Sequence, residues 1–235
     1  MTRAALAALV LLAPGCMPDA PTPADSARLD TDVEGAARYL ALGDSYTIGE
    51  GVPAPGRWPV QLAAVLRPSD TPVTDPQLVA VTGWTVDELD AGIDAADPQG
   101  AFDLVTLLIG VNDQYRGLPI EGYRERYRAM LRRAVGFAGG DPGRVVAVSF
   151  PDWGATPFGG RDARSREQIA AEVDAFNAAA RAEAEAAGVT WVDVTGLSRQ
   201  QGDLVVADEL HPSAEAYAAW AERIAPAARA ALADR

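Results

Sequence analysis

The chain has 235 residues, enough for one α/β domain with a buried core, and no shift of composition within residues 37–235 indicates a second domain. Its 33 acidic residues against 20 arginines give a formal net charge of −13, and an acidic surface of this kind repels nucleic acid and anionic membranes. Lysine is absent, which excludes a lysine Schiff base, a P-loop lysine and a Ser-Lys dyad.

The first fifteen residues predict a signal peptide for export. Arg3 precedes an apolar run from Ala4 to Ala13 that is too short to span a bilayer. Gly15 and Cys16 follow, a position that resembles the lipobox of bacterial lipoproteins; an ordinary secretory signal with an incidental cysteine is the alternative. We therefore expect an exported protein, either a cell-envelope lipoprotein attached to a membrane only through lipidated Cys16 or a secreted protein.

Residues 16–36 predict a flexible tether. They are rich in Pro, Asp, Ala and Thr and contain hardly any large apolar side chain. Such a segment cannot bury enough surface to offset the entropy lost on ordering. The folded domain is therefore expected to span residues 37–235.

Strands and helices alternate along this domain. Five short, mostly apolar runs predict strands at residues 38–42, 77–81, 103–109, 144–150 and 189–194. Two capping boxes predict helices at 86–96 and 166–187. A third helix is predicted from Pro119 to about Gly139, and a last one after Ser213 with a kink at Pro226. Nearly continuous apolar strands that alternate with helices are typical of a parallel sheet covered on both faces. The sequence thus predicts a three-layer α/β/α sandwich with a five-stranded parallel sheet.

Two long connections, residues 43–57 and 151–165, each leave the C-terminal end of a predicted strand. In open α/β sheets, ligands bind at that edge. Aromatic residues on or beside these connections are therefore expected to line a substrate pocket, although loop aromatics also serve as anchors: Tyr46, Trp58, Trp153 and Phe158.

Ser45 follows the first strand in the stretch Gly43-Asp44-Ser45, where its hydroxyl could cap a helix, bind phosphate or act as a nucleophile. The spacing of Gly43, Gly49 and Gly51 fits neither the dinucleotide-binding nor the P-loop pattern, and no lysine is present. The phosphate interpretation is therefore disfavoured, and the choice between cap and nucleophile depends on whether the chain supplies a base.

The chain contains one histidine, His211, so only this residue can act as an imidazole base for a serine. Asp208 lies three residues earlier, close enough in a turn to accept a hydrogen bond from Nδ1 and direct Nε2 at the nucleophile. For an isolated Asp-x-x-His pair, a packed histidine beside a solvated acid is the more common explanation.

Two further residues follow predicted strands. Asn112 comes after the third strand, where its amide could donate to a developing oxyanion or simply satisfy a turn. Gly83 comes after the second strand, where its N–H could be a second donor or the residue could only make the turn. Either residue alone does not distinguish an oxyanion donor from a turn.

Together, these residues resemble the SGNH, or GDSL-type, hydrolases, a family named for a Ser, a Gly, an Asn and a His. Ser45, Gly83, Asn112 and His211 match those four positions in the same order, within a resemblance that covers about residues 39–224. Tyr46 takes the place of the leucine of the Gly-Asp-Ser-Leu signature, a difference that affects local packing and leaves the implied mechanism unchanged. Longer stretches look like a branch labelled lysophospholipase-like or carbohydrate-esterase-like.

This resemblance implies a flavodoxin-like fold and a serine esterase that needs no cofactor and no metal. Ser45 would carry the acyl group, His211 would act as base and acid, and Asp208 would orient the imidazole. The oxyanion would be bound by Ser45 N–H, Gly83 N–H and the amide of Asn112. Asp44 and Asp113 would hold their turns through side-chain hydrogen bonds.

The substrate class is less constrained than the reaction. The absence of a long apolar lid favours small or short-chain acyl groups, and an exported esterase suits deacetylation of a polysaccharide. Cleavage of lysophospholipids or thioesters is the alternative substrate class. A catalytically silent glycan-binding module is the alternative of a different kind, and it predicts loss of a catalytic residue, whereas all are present.

Overall fold

The computed structural model describes residues 35–68 and 72–233. The predicted signal peptide, Cys16 and almost all of the predicted tether lie outside the described residues, so export and lipidation stay predictions. Within the described part of the chain, no helix combines the length and the apolar character needed to cross a membrane.

Five strands form one parallel sheet, as predicted. They are β1 (Tyr39–Gly43), β2 (Gln77–Ala80), β3 (Leu104–Leu108), β4 (Val145–Val148) and β5 (Thr190–Val192), in the spatial order β2-β1-β3-β4-β5. Leu42 of the central strand β1 lies opposite Val79 on one side and Leu107 on the other. The predicted strand positions are confirmed, with bounds that differ by at most two residues because ladder pairing begins and ends inside some of the apolar runs.

The helices are α1 (Ser45–Ile48), α2 (Trp58–Leu66), α3 (Val86–Ala96), α4 (Val111–Tyr115), α5 (Ile120–Phe137), α6 (Arg166–Ala186), α7 (Thr195–Gln200) and α8 (Ala214–Ala233). Helix α2 packs against α8, whereas α5 packs against α3 and α6. The sheet lies between these two groups, so the predicted three-layer α/β/α sandwich is confirmed. Both predicted capping boxes are formed, at Thr85 with Glu88 and at Ser165 with Gln168.

One predicted pocket residue belongs instead to the core. Trp58 begins α2, with Pro59 in the first turn of the helix, and its side chain is fully buried in the hydrophobic core. The prediction that Trp58 lines a substrate pocket is therefore wrong. Its position just after a long loop concealed the fact that it starts a buried helix.

The order of the strands opens a crevice at the carboxyl edge of the sheet. The chain leaves β1 toward β2 on one side and then returns to β3 on the other, so the segments that follow β1 and β3 diverge. At Gly43, the last residue of β1, a Cβ would lie 2.2 Å from Thr47 Oγ1 and 2.4 Å from the carbonyl oxygen of Leu108. Only glycine therefore lets α1 fold back so closely over the strand ends beside the crevice.

Candidate active site

Ser45 is the first residue of α1, and its hydroxyl is not the helix cap. The cap is Asp44, whose Oδ1 accepts a hydrogen bond of 3.0 Å from the backbone N–H of Tyr46. The backbone N–H of Ser45 lies in the first turn, where amide groups have no partner within the helix. The fold therefore leaves both the hydroxyl and the amide of Ser45 outside the capping contacts, at the edge of the crevice.

Asp208 and His211 form a compact pair on the turn before α8. Asp208 Oδ2 lies 2.7 Å from His211 Nδ1, while its Oδ1 accepts hydrogen bonds from the backbone N–H groups of Leu210 and His211 at 2.8 and 2.9 Å. Burial alone would raise the pKa of Asp208, but the hydrogen bonds from the His211 side chain and the two backbone amides outweigh it and lower that pKa. One carboxylate thus builds the turn with one oxygen and holds the imidazole with the other.

The imidazole of His211 is fixed from a second direction by Tyr46. The two ring centroids are 5.3 Å apart, and Tyr46 in turn packs against Trp220 of α8 at 6.3 Å. Tyr46 directly follows Ser45, so this contact brings the imidazole to the start of α1. The hydrogen bonds of the described residues do not include one between Ser45 Oγ and His211 Nε2, and such bonds are often long before substrate binds.

Asn112 lies in α4, directly after β3, and faces the loop that contains Gly83. Its Nδ2 donates a hydrogen bond of 2.9 Å to the carbonyl oxygen of Trp84, which fixes the orientation of the amide because a carbonyl oxygen can only accept. The second hydrogen of Nδ2 is not used by this bond. Gly83 has a positive φ of 89°, a conformation that favours glycine, and the nearest atom to a Cβ there would be Arg116 Nη2 at 3.9 Å.

The loop from Thr82 to Thr85, here called the Gly83 loop, is held by side chains from outside the loop. Arg116 Nη2 donates to the carbonyl oxygen of Gly83 at 2.6 Å, and Arg116 Nη1 donates to Glu88 at 3.2 Å. On the other side, the hydroxyl of Thr82 donates to Glu50 in the connection after α1. No sequence motif marks these contacts, because they join residues about thirty positions apart.

Asp113 was predicted to hold its own turn, and this prediction is wrong. Its Oδ2 accepts a hydrogen bond of 3.0 Å from the backbone N–H of Val86, at the start of α3, and its Oδ1 lies 3.1 Å from Arg126 Nη2. Burial raises the pKa of Asp113, against the opposing effects of these two donors. The buried carboxylate therefore ties α4 to the end of the Gly83 loop instead of closing a local turn.

Asp44 lies in a very different electrostatic environment from Asp208. It is fully buried, and its Oδ2 has no hydrogen-bond partner among the described residues. Burial, opposed by the hydrogen bond from the N–H of Tyr46 and assisted by the charge of Asp113, raises the pKa of Asp44 to about 8. The aspartate beside Ser45 is therefore mostly protonated at neutral pH, whereas the aspartate beside His211 is ionised.

The predicted aromatic lining is only partly available to a ligand. Tyr46 and Trp153 are almost fully buried, while Phe158 is partly exposed. Their contact with substrate stays a prediction. Two apolar side chains at the same edge were missed: Val81, after β2, and Tyr115, at the end of α4, are 47% and 46% exposed. Tyr115 follows Asn112 by three residues in the sequence, but nothing in the motif indicated which way its ring would face.

The chemical groups at this edge are a serine, a histidine–aspartate pair and several N–H donors. Within residues 35–68 and 72–233, no three His, Cys, Asp or Glu side chains come together in a cluster that could hold a metal ion. A nucleophile, an oriented base and donors for an oxyanion are the parts that acyl transfer requires.

Comparison with known proteins identifies the family of this chain. Residues 41–219 match the model of the GDSL-like lipase/acylhydrolase family. No curated protein matches the chain.

Several solved structures share the fold at low identity. A lipase/acylhydrolase from Enterococcus faecalis is 17% identical with a TM-score of 0.62, over 81% of this chain and 94% of that one. TesA is 20% identical with a TM-score of 0.62, over 83% and 99%. An acetylxylan esterase from Geobacillus stearothermophilus is 17% identical with a TM-score of 0.57, over 85% and 95%. From its family match, this chain belongs to the GDSL-like lipase/acylhydrolase family and is an SGNH serine hydrolase that acts on ester bonds.

Proposed function

We propose that this protein removes small or short-chain acyl groups, acetyl above all, from hydroxyl groups of a glycan through an acyl-serine intermediate. Ser45 is the nucleophile, His211 the general base and acid, and Asp208 the residue that orients the imidazole. Ser45 N–H, Gly83 N–H and Asn112 Nδ2 are the oxyanion donors. The observation that carries the proposal is the 2.7 Å contact between Asp208 Oδ2 and His211 Nδ1, since it leaves Nε2 as the nitrogen free to take a proton.

In the first half of the reaction, Ser45 Oγ attacks the ester carbonyl carbon while His211 Nε2 takes the hydroxyl proton. The carbonyl oxygen becomes an oxyanion, which accepts hydrogen bonds from the three donors. The bond from carbon to the alcohol oxygen then breaks, and His211 gives its proton to the departing alcohol. Ser45 is left bearing the acyl group.

In the second half, a water molecule takes the place of the alcohol. His211 Nε2 removes a proton from this water as its oxygen attacks the acyl carbon, and the same donors bind the second oxyanion. When the carbon–Ser45 bond breaks, His211 returns the proton to Ser45 Oγ, and the carboxylic acid leaves. Asp208 stays ionised throughout and stabilises the imidazolium.

Two observations support a small acyl group. Val81 and Tyr115 are the only large hydrophobic side chains that are strongly exposed in the described part of the chain, so no broad apolar surface is available for a long chain. The acetylxylan esterase among the structural neighbours acts on an acetylated glycan and shares this fold. Cleavage of lysophospholipids or thioesters is the alternative outcome.

The reaction is tested with p-nitrophenyl esters of two to twelve acyl carbons, using wild type and Ser45→Ala. We expect the highest kcat/KM at two to four carbons and a loss of about 10⁴-fold or more in the variant. Activity that survives Ser45→Ala would contradict the nucleophile. A preference for long chains, or faster release of fatty acid from lysophosphatidylcholine than of acetate from acetylated xylan, would contradict the substrate class.

A further inference from the structure

Tyr115 presents an aromatic ring to solvent beside the Gly83 loop. It ends α4, the helix that carries Asn112, and its neighbour Arg116 bonds to the carbonyl oxygen of Gly83. Tyr115 and Val81 are also the two strongly exposed large hydrophobic residues of the described chain, and both lie at the edge of the sheet where ligands bind. The apolar surface that remains exposed is thus concentrated next to the predicted oxyanion donors.

The ring of Tyr115 rests on a rigid aromatic base. Its centroid is 5.2 Å from that of Trp153, in an edge-to-face arrangement, and 6.5 Å from that of Phe158. Trp153 is almost fully buried, and its indole nitrogen donates to the side chain of Gln114 at 2.8 Å. A ring that is already held in place loses little conformational freedom when a ligand packs on it. Tyr115, Trp153 and Phe158 are called the aromatic platform below.

The charges around the aromatic platform are paired. Arg164 lies over both Trp153 and Tyr115, with Cζ 4.9 Å and 5.7 Å from the two ring centroids, and its guanidinium binds Asp162 and Glu172. Arg116 is occupied by Glu88 and the carbonyl oxygen of Gly83. Both arginines beside Tyr115 are thus already paired with carboxylates, and the formal net charge of −13 disfavours an anionic ligand. The surface is suited to a neutral ligand.

From these observations we infer that Tyr115 is the residue on which the sugar ring of an acylated, uncharged glycan stacks during hydrolysis. A pyranose ring has one face made largely of C–H groups, and such a face packs on the electron-rich face of an aromatic ring. Tyr115 is the only strongly exposed aromatic side chain of the described residues, and a single ring fits one sugar unit better than a long acyl chain. This inference rests on the proposed function, because it assigns the alcohol side of the same site.

The test compares two acetate esters, one whose alcohol is a sugar and one whose alcohol is ethanol. The substrates are methyl 2,3,4-tri-O-acetyl-xylopyranoside and ethyl acetate, and acetate release is measured for wild type, Tyr115→Phe and Tyr115→Ala. We expect Tyr115→Ala to lower kcat/KM on the sugar acetate at least fivefold more than on ethyl acetate, mainly through a higher KM. Tyr115→Phe should keep most of the activity of wild type on the sugar acetate, because it keeps the ring.

A matched control separates stacking from a general loss of aromatic packing. Phe137→Leu trims a partly buried aromatic at the end of α5, where Phe137 packs against Phe102, and should leave the ratio between the two substrates unchanged. Three results would overturn the inference: equal losses on both esters in Tyr115→Ala, no loss on either, or a loss in Tyr115→Phe as large as in Tyr115→Ala.

The same assay distinguishes this inference from the proposed function. Hydrolysis of ethyl acetate that Ser45→Ala abolishes supports the reaction, whatever happens at Tyr115. If Tyr115→Ala instead lowers the rate on p-nitrophenyl octanoate more than on the sugar acetate, the ring binds an acyl chain and the inference is wrong. An inactive wild type on the sugar acetate would also overturn it.

Discussion

The two sides of the active site are built in different ways. His211 and Asp208 lie on one short turn, held by backbone amides of that same turn, and the Asp208 side chain is 41% exposed. The Gly83 loop and Asn112, by contrast, come from separate parts of the chain and are fixed by contacts that reach across about thirty residues, such as Arg116 to Gly83. The acid–base side is therefore built by local contacts, and the proposed oxyanion side by long-range contacts.

This difference shows where each side is vulnerable. A local turn can keep its shape when the chemistry of one atom is changed, since the backbone contacts that define it survive. A loop fixed by several side chains loses geometry and chemistry together when one of them is removed. Substitutions on the acid–base side should therefore lower activity with little loss of stability, whereas substitutions on the oxyanion side should lower both.

The largest effect is expected on the acid–base side, from Asp208→Asn. The amide oxygen can still accept from the backbone N–H groups of Leu210 and His211, so the turn should persist. The amide nitrogen then faces His211 Nδ1 as a donor, which places the imidazole proton on Nε2 and prevents it from acting as a base. We expect kcat/KM on p-nitrophenyl acetate to fall by about 10³ to 10⁴-fold, with the melting temperature within a few degrees of wild type.

This outcome separates positioning from folding. If the melting temperature of Asp208→Asn fell by much more than a few degrees, the turn would have collapsed, and the loss of activity would not report the tautomer of His211. Activity within tenfold of wild type would show that Asp208 does not set the tautomer of His211.

A smaller loss is expected on the oxyanion side, from Asn112→Ala. It removes a proposed donor to the oxyanion, and such a donor is worth about 10² to 10³ in kcat, while KM should change little because the oxyanion forms only after binding. It also removes the bond to the carbonyl oxygen of Trp84, at a cost of about 1 kcal/mol. Unlike Asp208→Asn, this variant should lose stability and activity together, as measured by steady-state kinetics and thermal melting.

Arg116→Gln is the matched variant for this prediction. It weakens the support of the Gly83 loop but removes no proposed donor to the oxyanion. Trp84 in the loop keeps its bond to Asn112, and Val86 just after the loop keeps its bond to Asp113. We expect kcat to fall less than about tenfold. If Arg116→Gln lost as much kcat as Asn112→Ala, the position of the loop and not the amide of Asn112 would determine the rate.

The same contrast explains how far the sequence could predict the molecule. Features that depend on neighbouring residues in the sequence were predicted correctly: the five apolar strands, the two capping boxes and the pairing of Asp208 with His211. Contacts between residues far apart in the sequence were not predicted, since no motif links Arg116 to Gly83 or Asp113 to Val86. Trp58 was misassigned for a related reason, because burial against the core depends on packing that a loop boundary does not show.

The pH dependence of stability should also differ between the aspartate beside Ser45 and the aspartate beside His211. The pKa of Asp44 is raised to about 8 in the folded protein, whereas a carboxyl in the unfolded chain has a pKa of about 4. Between these values the unfolded state binds fewer protons at this group than the folded state, so its contribution to stability falls as pH rises from about 4 to about 8. Asp44→Asn removes that titration, and its neutral amide resembles the protonated acid.

The melting temperature of Asp44→Asn relative to wild type should therefore increase steadily from pH 5 to pH 8. Asp208 behaves differently, because its pKa is lowered on folding and its contribution to stability is lost only as pH falls below about 4. Titrations that Asp44→Asn shares with wild type cancel in the difference between the two melting temperatures, so a rise in that difference from pH 5 to pH 8 would support the buried, protonated state of Asp44. A difference that stays flat over this range would contradict it.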